Sequence, residues 1–351
     1  PPTLRGDIFK STSKSLQLVF PNAPVTFPAG GNWPLEKVVV SGAVAQVVKQ
    51  DGTTPYVANL AEAFADANSG ATVTMLADVT LTEMVEIPQD TTFVLDLNGH
   101  TISNPTESCI FVKYGGTLTI RDSGTGGTVT SAGDAVYVSG TAKLEGGRFE
   151  TKDPGSCAGI NGLGNLIVTG DSVSMNCLYI DNSIVVIASL SAGTYDKIRI
   201  KKGKTFAEYL AEGHAYYQGD TPLALAGLGE EEGWFLVLTG ITVKPCSEHD
   251  YGYDHTPGAI RHSRTCRYCG YKAPEPCAFT NGRCVCGAEL AVELSDPAEV
   301  KPYTGAEQKP GVTVTVDGQT LDMADYKVRY ANNINAGEAT VTVTGVFGGE
   351  V

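Results

Sequence analysis

A short β-rich motif recurs every 24 residues in the middle of the chain. GTLTI begins at Gly116, GTAKL at Gly140 and GNLIV at Gly164, and Asn182-Ser-Ile-Val-Val follows 18 residues later. A repeat of twenty-odd residues is typical of a solenoid, because each coil is too small to bury its own apolar face and must stack on its neighbours. Short strands, glycine-containing corners and the lack of an L-x-x-L-x-L frame predict an all-β fold built on a right-handed parallel β-helix.

Two short helices are expected to border the β-helix, which we assign to residues 56–243. Tyr56–Asn68 (YVANLAEAFADAN) carries apolar residues at helical spacing, and a helix there would cap the open apolar end of the coils. Lys204–Gly213 is predicted to be the second helix, because Gly213 is a typical C-terminal breaker. The preceding residues 1–55 are predicted to be a lead-in with short strands.

Sulfur and imidazole groups are concentrated in residues 244–290. Six of the nine cysteines and three of the five histidines lie between Cys246 and Gly287. Two Cys-x(1–2)-Cys-Gly knuckles occur there, and such knuckles present two thiolates from one tight turn, as a tetrahedral zinc ion requires. The segment is therefore predicted to be a zinc-binding module. Its candidate ligands are Cys246, His249, His262, Cys266, Cys269, Cys277, Cys284 and Cys286.

The spacing suggests one division of these ligands. The four knuckle sulfurs, from Cys266, Cys269, Cys284 and Cys286, would hold one zinc ion, and the other four candidates could hold a second. Such zinc would be structural, because no coordination position would be left for a water nucleophile. Three disulfides are the alternative in an exported chain, although a Cys284–Cys286 bridge would be strained. His255 is left over and is expected in a solvated loop.

Three further cysteines lie among the predicted coils. Cys109, Cys157 and Cys177 are expected to be small buried hydrophobic residues, which is the usual role of free cysteine. A Cys157–Cys177 bridge between adjacent coils is the alternative. Neither alternative assigns these residues a chemical role.

Residues 291–351 have the pattern of a small immunoglobulin-like β-sandwich. Alternating apolar residues predict strands at Val312–Val316, Tyr326–Tyr330 and Ala339–Val346, with a hairpin turn at Asp317-Gly318. No closing strand is visible in the pattern, so we expect this domain to be truncated.

The charge balance argues against two classes of partner. The formal net charge is −14, with 25 Lys and Arg residues against 39 Asp and Glu residues. Such a surface repels the phosphates of nucleic acids and anionic lipids. No run of 18 apolar residues appears, so membrane insertion is not expected either.

The acidic residues of the coils are scattered rather than paired. A glycosidase needs two carboxyl groups about 5–10 Å apart, which on a solenoid requires equivalent positions of successive coils. His100 follows an ordinary Asn-Gly turn, and Arg199-Ile-Lys201 resembles the R-x-K of pectin-cleaving hydrolases without the other motifs that accompany it. We therefore predict no catalytic residue. The aspartates considered are Asp96, Asp122, Asp134, Asp153, Asp171, Asp181 and Asp196.

Several segments resemble parts of large modular surface proteins of Gram-positive, often gut-dwelling bacteria. TVTMLADVTLTEMVEIPQDTTFVLDLNGHTIS, followed by GTLTIRDSGTGG, is similar to their pectate-lyase-like β-helix modules, and KTFAEYLAEGHAYYQGD is similar to the segment that commonly closes those modules. The cysteine-rich segment resembles their C-x-x-C-G repeats. KPYTGAEQKPGVTVTVDGQTL and YANNINAGEATVTVTG resemble their tandem immunoglobulin-like repeats.

The resemblance implies a secreted, cell wall-associated module without a shared catalytic motif. We expect a non-catalytic role in adhesion through contact with host glycans or surface proteins. A polysaccharide lyase or glycoside hydrolase on the same scaffold is one alternative, and a purely structural stalk is another. Tyr114, Tyr137 and Tyr179 bear on this choice, because glycan binders usually offer an exposed aromatic platform, whereas in a stalk these side chains would pack inside the coils or at corners.

Overall fold

The computed structural model describes most of the chain, as six stretches that are nearly all β. The chain divides into two compact units, Pro1–Ser247 and Glu248–Val351. The described residues are 18–20, 23–30, 38–152, 160–180, 187–295 and 302–345.

The first unit contains strands β1 to β26 in chain order. Those before the solenoid are β1 Leu18–Phe20, β2 Val25–Phe27, β3 Val38–Val40, β4 Ala45–Val48 and β5 Thr54–Val57. Those of the solenoid are β6 Thr72–Met75, β7 Val79–Thr80, β8 Val85–Ile87, β9 Thr92–Asp96, β10 Thr101–Asn104, β11 Ile110–Val112, β12 Thr117–Arg121, β13 Thr128–Ser131, β14 Val136–Val138, β15 Thr141–Leu144, β16 Gly147–Thr151, β17 Ile160–Gly162, β18 Asn165–Val168, β19 Val173–Met175, β20 Leu178–Ile180, β21 Ile187–Leu190 and β22 Thr194–Lys201. Those that follow it are β23 His214–Gln218, β24 Thr221–Pro222, β25 Glu230–Glu232 and β26 Phe235–Pro245.

The solenoid is a parallel β-helix of about five coils with three faces. The first face contains β6, β9, β12, β15, β18 and β21, the second contains β7, β10, β13, β16 and β19, and the third contains β8, β11, β14, β17 and β20. The long strand β22 pairs with the last strands of the second and third faces. The parallel β-helix predicted from the repeat is therefore confirmed.

The 24-residue repeat equals the sequence distance between residues that lie opposite each other on adjacent strands of the first face. Thr117 is opposite Thr141, and Thr141 is opposite Asn165, so each coil adds 24 residues. The next pair, Asn165 and Ile187, is 22 residues apart. The predicted fourth repeat at 182–186 lies outside the described residues.

The core lies inside the coils, where alternate residues of each strand point inward. One inward row of the first face is in register across five strands and is fully buried. Burial of each such side chain stabilises the fold by about 1.5–3 kcal/mol. A single coil could not bury these side chains by itself, so the burial depends on stacking against neighbouring coils. The row comprises Leu95, Ile120, Leu144, Val168 and Leu190.

The glycine that opens each repeat is required by close stacking of the corners. A Cβ atom on Gly140 would overlap the carbonyl oxygens of Gly116 and Lys113, and a Cβ atom on Gly164 would overlap the carbonyl oxygen of Gly140. The constraint comes from the backbone of the previous coil, which cannot move without disturbing the whole stack.

The predicted helix at Tyr56–Asn68 is much shorter in the structure. Its first two residues belong to β5, the α-helix α1 spans only Leu60–Ala63, and a 3-10 turn follows at Asp66–Asn68. The side chain of Asn59 accepts a hydrogen bond at the start of α1. The side-chain amide of Asn68 donates hydrogen bonds to two carbonyl groups at the C-terminal end of α1. These carbonyl groups therefore need no further helical turn, and the helix ends there. The apolar residues that suggested one helix are therefore divided among the end of β5, a single turn of α-helix and a 3-10 turn.

Short elements lie at both ends of the β-helix, and the second predicted helix, at Lys204–Gly213, is also not an α-helix. Phe64, directly after α1, packs edge to face against Phe93 of the coils, with 5.2 Å between ring centroids. The second predicted helix is a single 3-10 turn at Phe206–Tyr209, with a capping box formed by Thr205 and Glu208. Strands β23 and β26 then pair antiparallel.

The described residues of the second unit form eight strands in three sheets. The predicted strands of residues 312–346 are present, and Asp317-Gly318 forms the expected turn with positive φ at both residues. One hydrophobic cluster joins residues of the cysteine-rich segment to the later strands; its members include Cys277, Phe279, Cys284, Leu290, Val314, Val316, Tyr326 and Val343. The strands are β27 Tyr251–His255, β28 Arg261–Cys266, β29 Lys272–Pro276, β30 Leu290–Leu294, β31 Val312–Val316, β32 Gln319–Thr320, β33 Tyr326–Ala331 and β34 Thr340–Gly345.

Candidate metal centres

Strands β27, β28 and β29 form an antiparallel sheet that presents candidate ligands at both ends. Tyr251 pairs with Cys266 at one end of β28, and His255 pairs with His262 at the other. The turn from β28 to β29 contains Cys269, and a backbone hydrogen bond to the carbonyl group of Cys266 closes this turn. Because a hairpin places its turn at one end and its open strands at the other, the ligands of this segment fall into two groups.

The first cluster lies at the turn end. It contains Cys246, His249, Cys266 and Cys269, whose ligand atoms all lie within 4.8 Å of one another. The Sγ atom of Cys269 is 3.6 Å from Nδ1 of His249. The His249 ring also stacks on Tyr251, with 5.5 Å between centroids, which fixes the orientation of the imidazole.

The second cluster contains His262, Cys277, Cys284 and Cys286, again within 4.8 Å. Nδ1 of His262 is 3.5 Å from the sulfur of Cys277 and 3.5 Å from that of Cys284. The Cys277 and Cys286 sulfurs are 3.9 Å apart. A tetrahedral ion with bonds of about 2.3 Å to sulfur and about 2.0 Å to nitrogen would separate its ligand atoms by about 3.5–3.8 Å. The geometry therefore fits a structural metal ion with four protein ligands.

The division of ligands suggested by the spacing is wrong. The four knuckle sulfurs do not share a site: Cys266 and Cys269 belong to the first cluster, and Cys284 and Cys286 belong to the second. The reason lies in β28, where His262 and Cys266 are four residues and about 13 Å apart. One strand thus sends a ligand to each end of the sheet. None of the six cysteines of the segment forms a disulfide in the structure, in contrast to the disulfide alternative.

The pKa values of the cluster thiols are shifted in both directions. Burial opposes ionisation of Cys266, yet hydrogen bonds from the backbone N–H of Cys269 and from His249 lower its pKa to about 6. Burial and the neighbouring thiols raise the pKa of Cys277. Because thiolate is the metal-binding form, a bound cation would supply the positive charge that lets crowded sulfurs ionise together.

A carboxylate supports the second cluster from outside. Nε2 of His262 is 2.9 Å from Oε1 of Glu275, and Oε2 of Glu275 is 3.4 Å from the Arg264 guanidinium. A carboxylate on the distal nitrogen fixes the tautomer of a metal-binding histidine and raises its basicity. Sequence reasoning missed Glu275, because only the pairing of β28 with β29 brings it opposite His262.

The sequence suggested that His255 lies in a solvated loop, and this prediction is wrong. It is the last residue of β27 and is half-buried, with Nε2 3.1 Å from Oδ2 of Asp317. The backbone N–H of Glu289 donates to the same carboxylate, and these partners lower the pKa of Asp317. His255 therefore fastens the cysteine-rich sheet to the hairpin turn after β31.

The cysteines of the coils are separate from both clusters. Cys109 is a free, fully buried thiol, and burial raises its pKa to about 12. It is the small hydrophobic residue that the sequence predicted. Cys177 is buried and disulfide-bonded. Cys157, the other half of the predicted alternative bridge, lies outside the described residues.

Asp96 is a structural residue of a solenoid corner. Its carboxylate is buried and accepts hydrogen bonds from the backbone N–H groups of Asn98 and Ser123, at 3.0 and 2.9 Å. Nε of Arg121 lies 3.0 Å from its other oxygen. Burial raises the pKa of Asp96, but these donors outweigh it and hold the pKa below its usual value.

Asp122 has the same role one coil later. It accepts hydrogen bonds from the backbone N–H groups of Gly99 and Gly127, at 2.7 and 2.8 Å. His100 faces Asp78 at 3.3 Å instead of Asp96. These carboxylates hold neighbouring coils together. Asp153 and Asp181 lie outside the described residues.

No protein-family model, curated protein or solved structure matches the chain. Among the described residues, no helix is both long enough and apolar enough to cross a membrane. A function for this protein must therefore be inferred from its fold and its two clusters.

Proposed function

We propose that the chain is a non-catalytic bacterial cell-surface module that makes adhesive contacts with host glycans or surface proteins, and that structural zinc holds its cysteine-rich segment together. The observation that supports this most directly is the composition of the two clusters. Each brings four Cys or His ligand atoms within 4.8 Å. Four protein ligands leave no open position for a substrate or an activated water, and sulfur-rich tetrahedral sites are typical of zinc.

The corners of the solenoid support a contact role over catalysis. The carboxylates of Asp96 and Asp122 are occupied by backbone donors of their own corners. A general acid or a nucleophile needs a carboxyl group that faces the substrate. What the coils offer instead is a long, rigid series of outward side chains.

Secretion to the cell surface is supported by the disulfide at Cys177. Disulfides persist mainly outside the reducing cytosol. The resemblance of the sequence to modular surface proteins of Gram-positive bacteria points to the same location. Structural zinc would then protect the remaining clustered thiols from oxidation.

The proposal is tested with the purified chain. Elemental analysis should find zinc at close to two ions per chain, and a panel of host glycans and epithelial cell surfaces should retain the protein. Incubation with polysaccharides should release no new reducing or unsaturated ends. Polysaccharide cleavage would replace this proposal with the lyase or hydrolase alternative, and absence of retention on every surface would favour the stalk.

A further inference from the structure

The third face of the solenoid carries one continuous row of outward side chains. Each of its strands has two buried residues that flank a central residue pointing outward, and these central residues are in register from strand to strand. The row continues onto β22. In order, its members are Glu86, Phe111, Tyr137, Asn161, Tyr179 and Arg199.

Three of these six side chains are aromatic, and we call the set the aromatic row. Phe111 and Tyr137 are half-buried and lie 5.4 Å apart between centroids, at an angle of 60°. Tyr179 meets Phe235 edge to face at 5.6 Å. Trp234, the neighbour of Phe235, is 82% exposed. Tyr137 and Tyr179 thus face outward instead of packing inside the coils.

The other two faces are different. The outward residues of the described strands on the first face include Val94, Thr119, Lys143 and Ile167, which form one row in register. On the second face they are mainly hydroxyl-bearing or charged. The outward positions of the described strands on these two faces hold no aromatic residue. Because a coil needs only its inward residues to be apolar, aromatic rings confined to one outer face point to a ligand.

The charges at both ends of the aromatic row are already neutralised. Glu86 pairs with Lys113 at 2.5 Å, and Arg199 pairs with Glu232 at 2.6 Å. The chain as a whole is strongly acidic. These charges suit a neutral ligand and disfavour nucleic acids and polyuronates.

Polar groups lie beside the rings. Asn161 stands between Tyr137 and Tyr179 in the row, beside the carboxyl group of Asp134. Aromatic surfaces with a few polar groups between them match the two faces of a sugar ring, one apolar and one rich in hydroxyls.

We propose that the aromatic row is a binding platform for a neutral, extended oligosaccharide. This inference rests on the proposed contact function and names its ligand class. Sugar rings stack on Phe111, Tyr137 and Tyr179, and sugar hydroxyls meet Asn161 and Asp134. With strands about 4.8 Å apart, the rings from Phe111 to Tyr179 span about 14 Å, so a chain of sugars engages the platform better than a single sugar.

The test is a titration of the whole chain with defined oligosaccharides. The probes are cellohexaose, xylohexaose, maltohexaose and chitohexaose, with hexagalacturonate as the acidic comparison. Binding is followed by calorimetry and by the emission of exposed Trp234. Y137A and Y179A should each weaken binding of at least one neutral hexaose about two- to tenfold, which is the range for loss of one aromatic contact. The matched control is Y303A, which removes a tyrosine that is 71% exposed in the second unit.

The outcomes separate this inference from the proposed function. Binding of a neutral hexaose that Y137A and Y179A leave unchanged would overturn the platform, and tighter binding of hexagalacturonate would overturn the ligand class. If no hexaose binds while host surface proteins do, the inference fails and the contact function stands. Circular dichroism melts of each variant show that the solenoid is intact, so a folding defect is not mistaken for lost contact.

Discussion

Nε2 of His262 lies 2.9 Å from Oε1 of Glu275, its directly opposed partner on the next strand. The other nitrogen of the same ring faces the sulfurs of Cys277 and Cys284. A single imidazole thus connects a carboxylate on the sheet surface to the buried second cluster. This arrangement gives Glu275 an effect on metal affinity without contact to the metal.

Glu275→Gln should weaken zinc binding at the second cluster about 10- to 100-fold, because a neutral amide no longer raises the basicity of the His262 imidazole through its distal nitrogen. Competition with a chromogenic chelator measures the effect. Glu293→Gln, a change of an exposed carboxylate on β30, is the matched control and should leave both affinities unchanged. Equal affinities in the two variants would show that Glu275 has no supporting role.

The grouping of ligands makes a prediction for metal content. Cys266→Ser and Cys284→Ser should each remove one zinc ion, and the double variant should bind none, because the two sulfurs belong to different clusters. Elemental analysis after gel filtration gives the stoichiometry. If the four knuckle sulfurs shared one site, the double variant would keep as much zinc as either single variant. Cys109→Ala, outside both clusters, is the control.

Gly140→Ala should destabilise the solenoid by about 1–3 kcal/mol, because the new methyl group overlaps the carbonyl oxygens of Gly116 and Lys113. Urea denaturation followed by circular dichroism measures the free energy of unfolding. Gly252→Ala is the comparison, since a Cβ atom there would meet only the Thr265 carbonyl oxygen at 3.9 Å. Equal stability of the two variants would contradict the steric account of the repeat.

Asp96→Ala should lower the free energy of unfolding by about 2–3 kcal/mol at neutral pH, since it leaves the backbone N–H groups of Asn98 and Ser123 without their buried acceptor. The folded-state pKa of Asp96 is below its usual value of 3.8. Its stabilising contribution is therefore complete above that value and is lost as the pH falls through the folded-state pKa.

The difference in stability between wild type and Asp96→Ala should accordingly shrink when denaturation is repeated at about pH 2.5. Asp171→Asn, a change of an exposed corner residue, is the control for general effects of charge. A difference that stays constant from neutral to acid pH would mean that the carboxylate of Asp96 is not the stabilising group.

The parallel β-helix, the glycines at its corners and the eight residues of the two clusters could all be predicted from the sequence. The repeat period, the alternation of apolar residues and the Cys-x(1–2)-Cys-Gly spacing can each be recognised in a short segment of sequence. In a solenoid, neighbouring coils also share the same local pattern. The strands of residues 312–345 were also predictable, because their alternation and the Asp317-Gly318 turn are local signals.

The grouping of the ligands, the position of Glu275 and the alignment of the aromatic residues in one row could be seen only in the folded chain. Cys266 and Cys284 are equivalent as sequence motifs, yet they belong to different clusters, because β28 carries Cys266 of one cluster and His262 of the other at its two ends. Phe111, Tyr137 and Tyr179 are 26 and 42 residues apart in sequence, and only strand register aligns them. Contacts across strands depend on register and on the direction of pairing, which no single segment encodes.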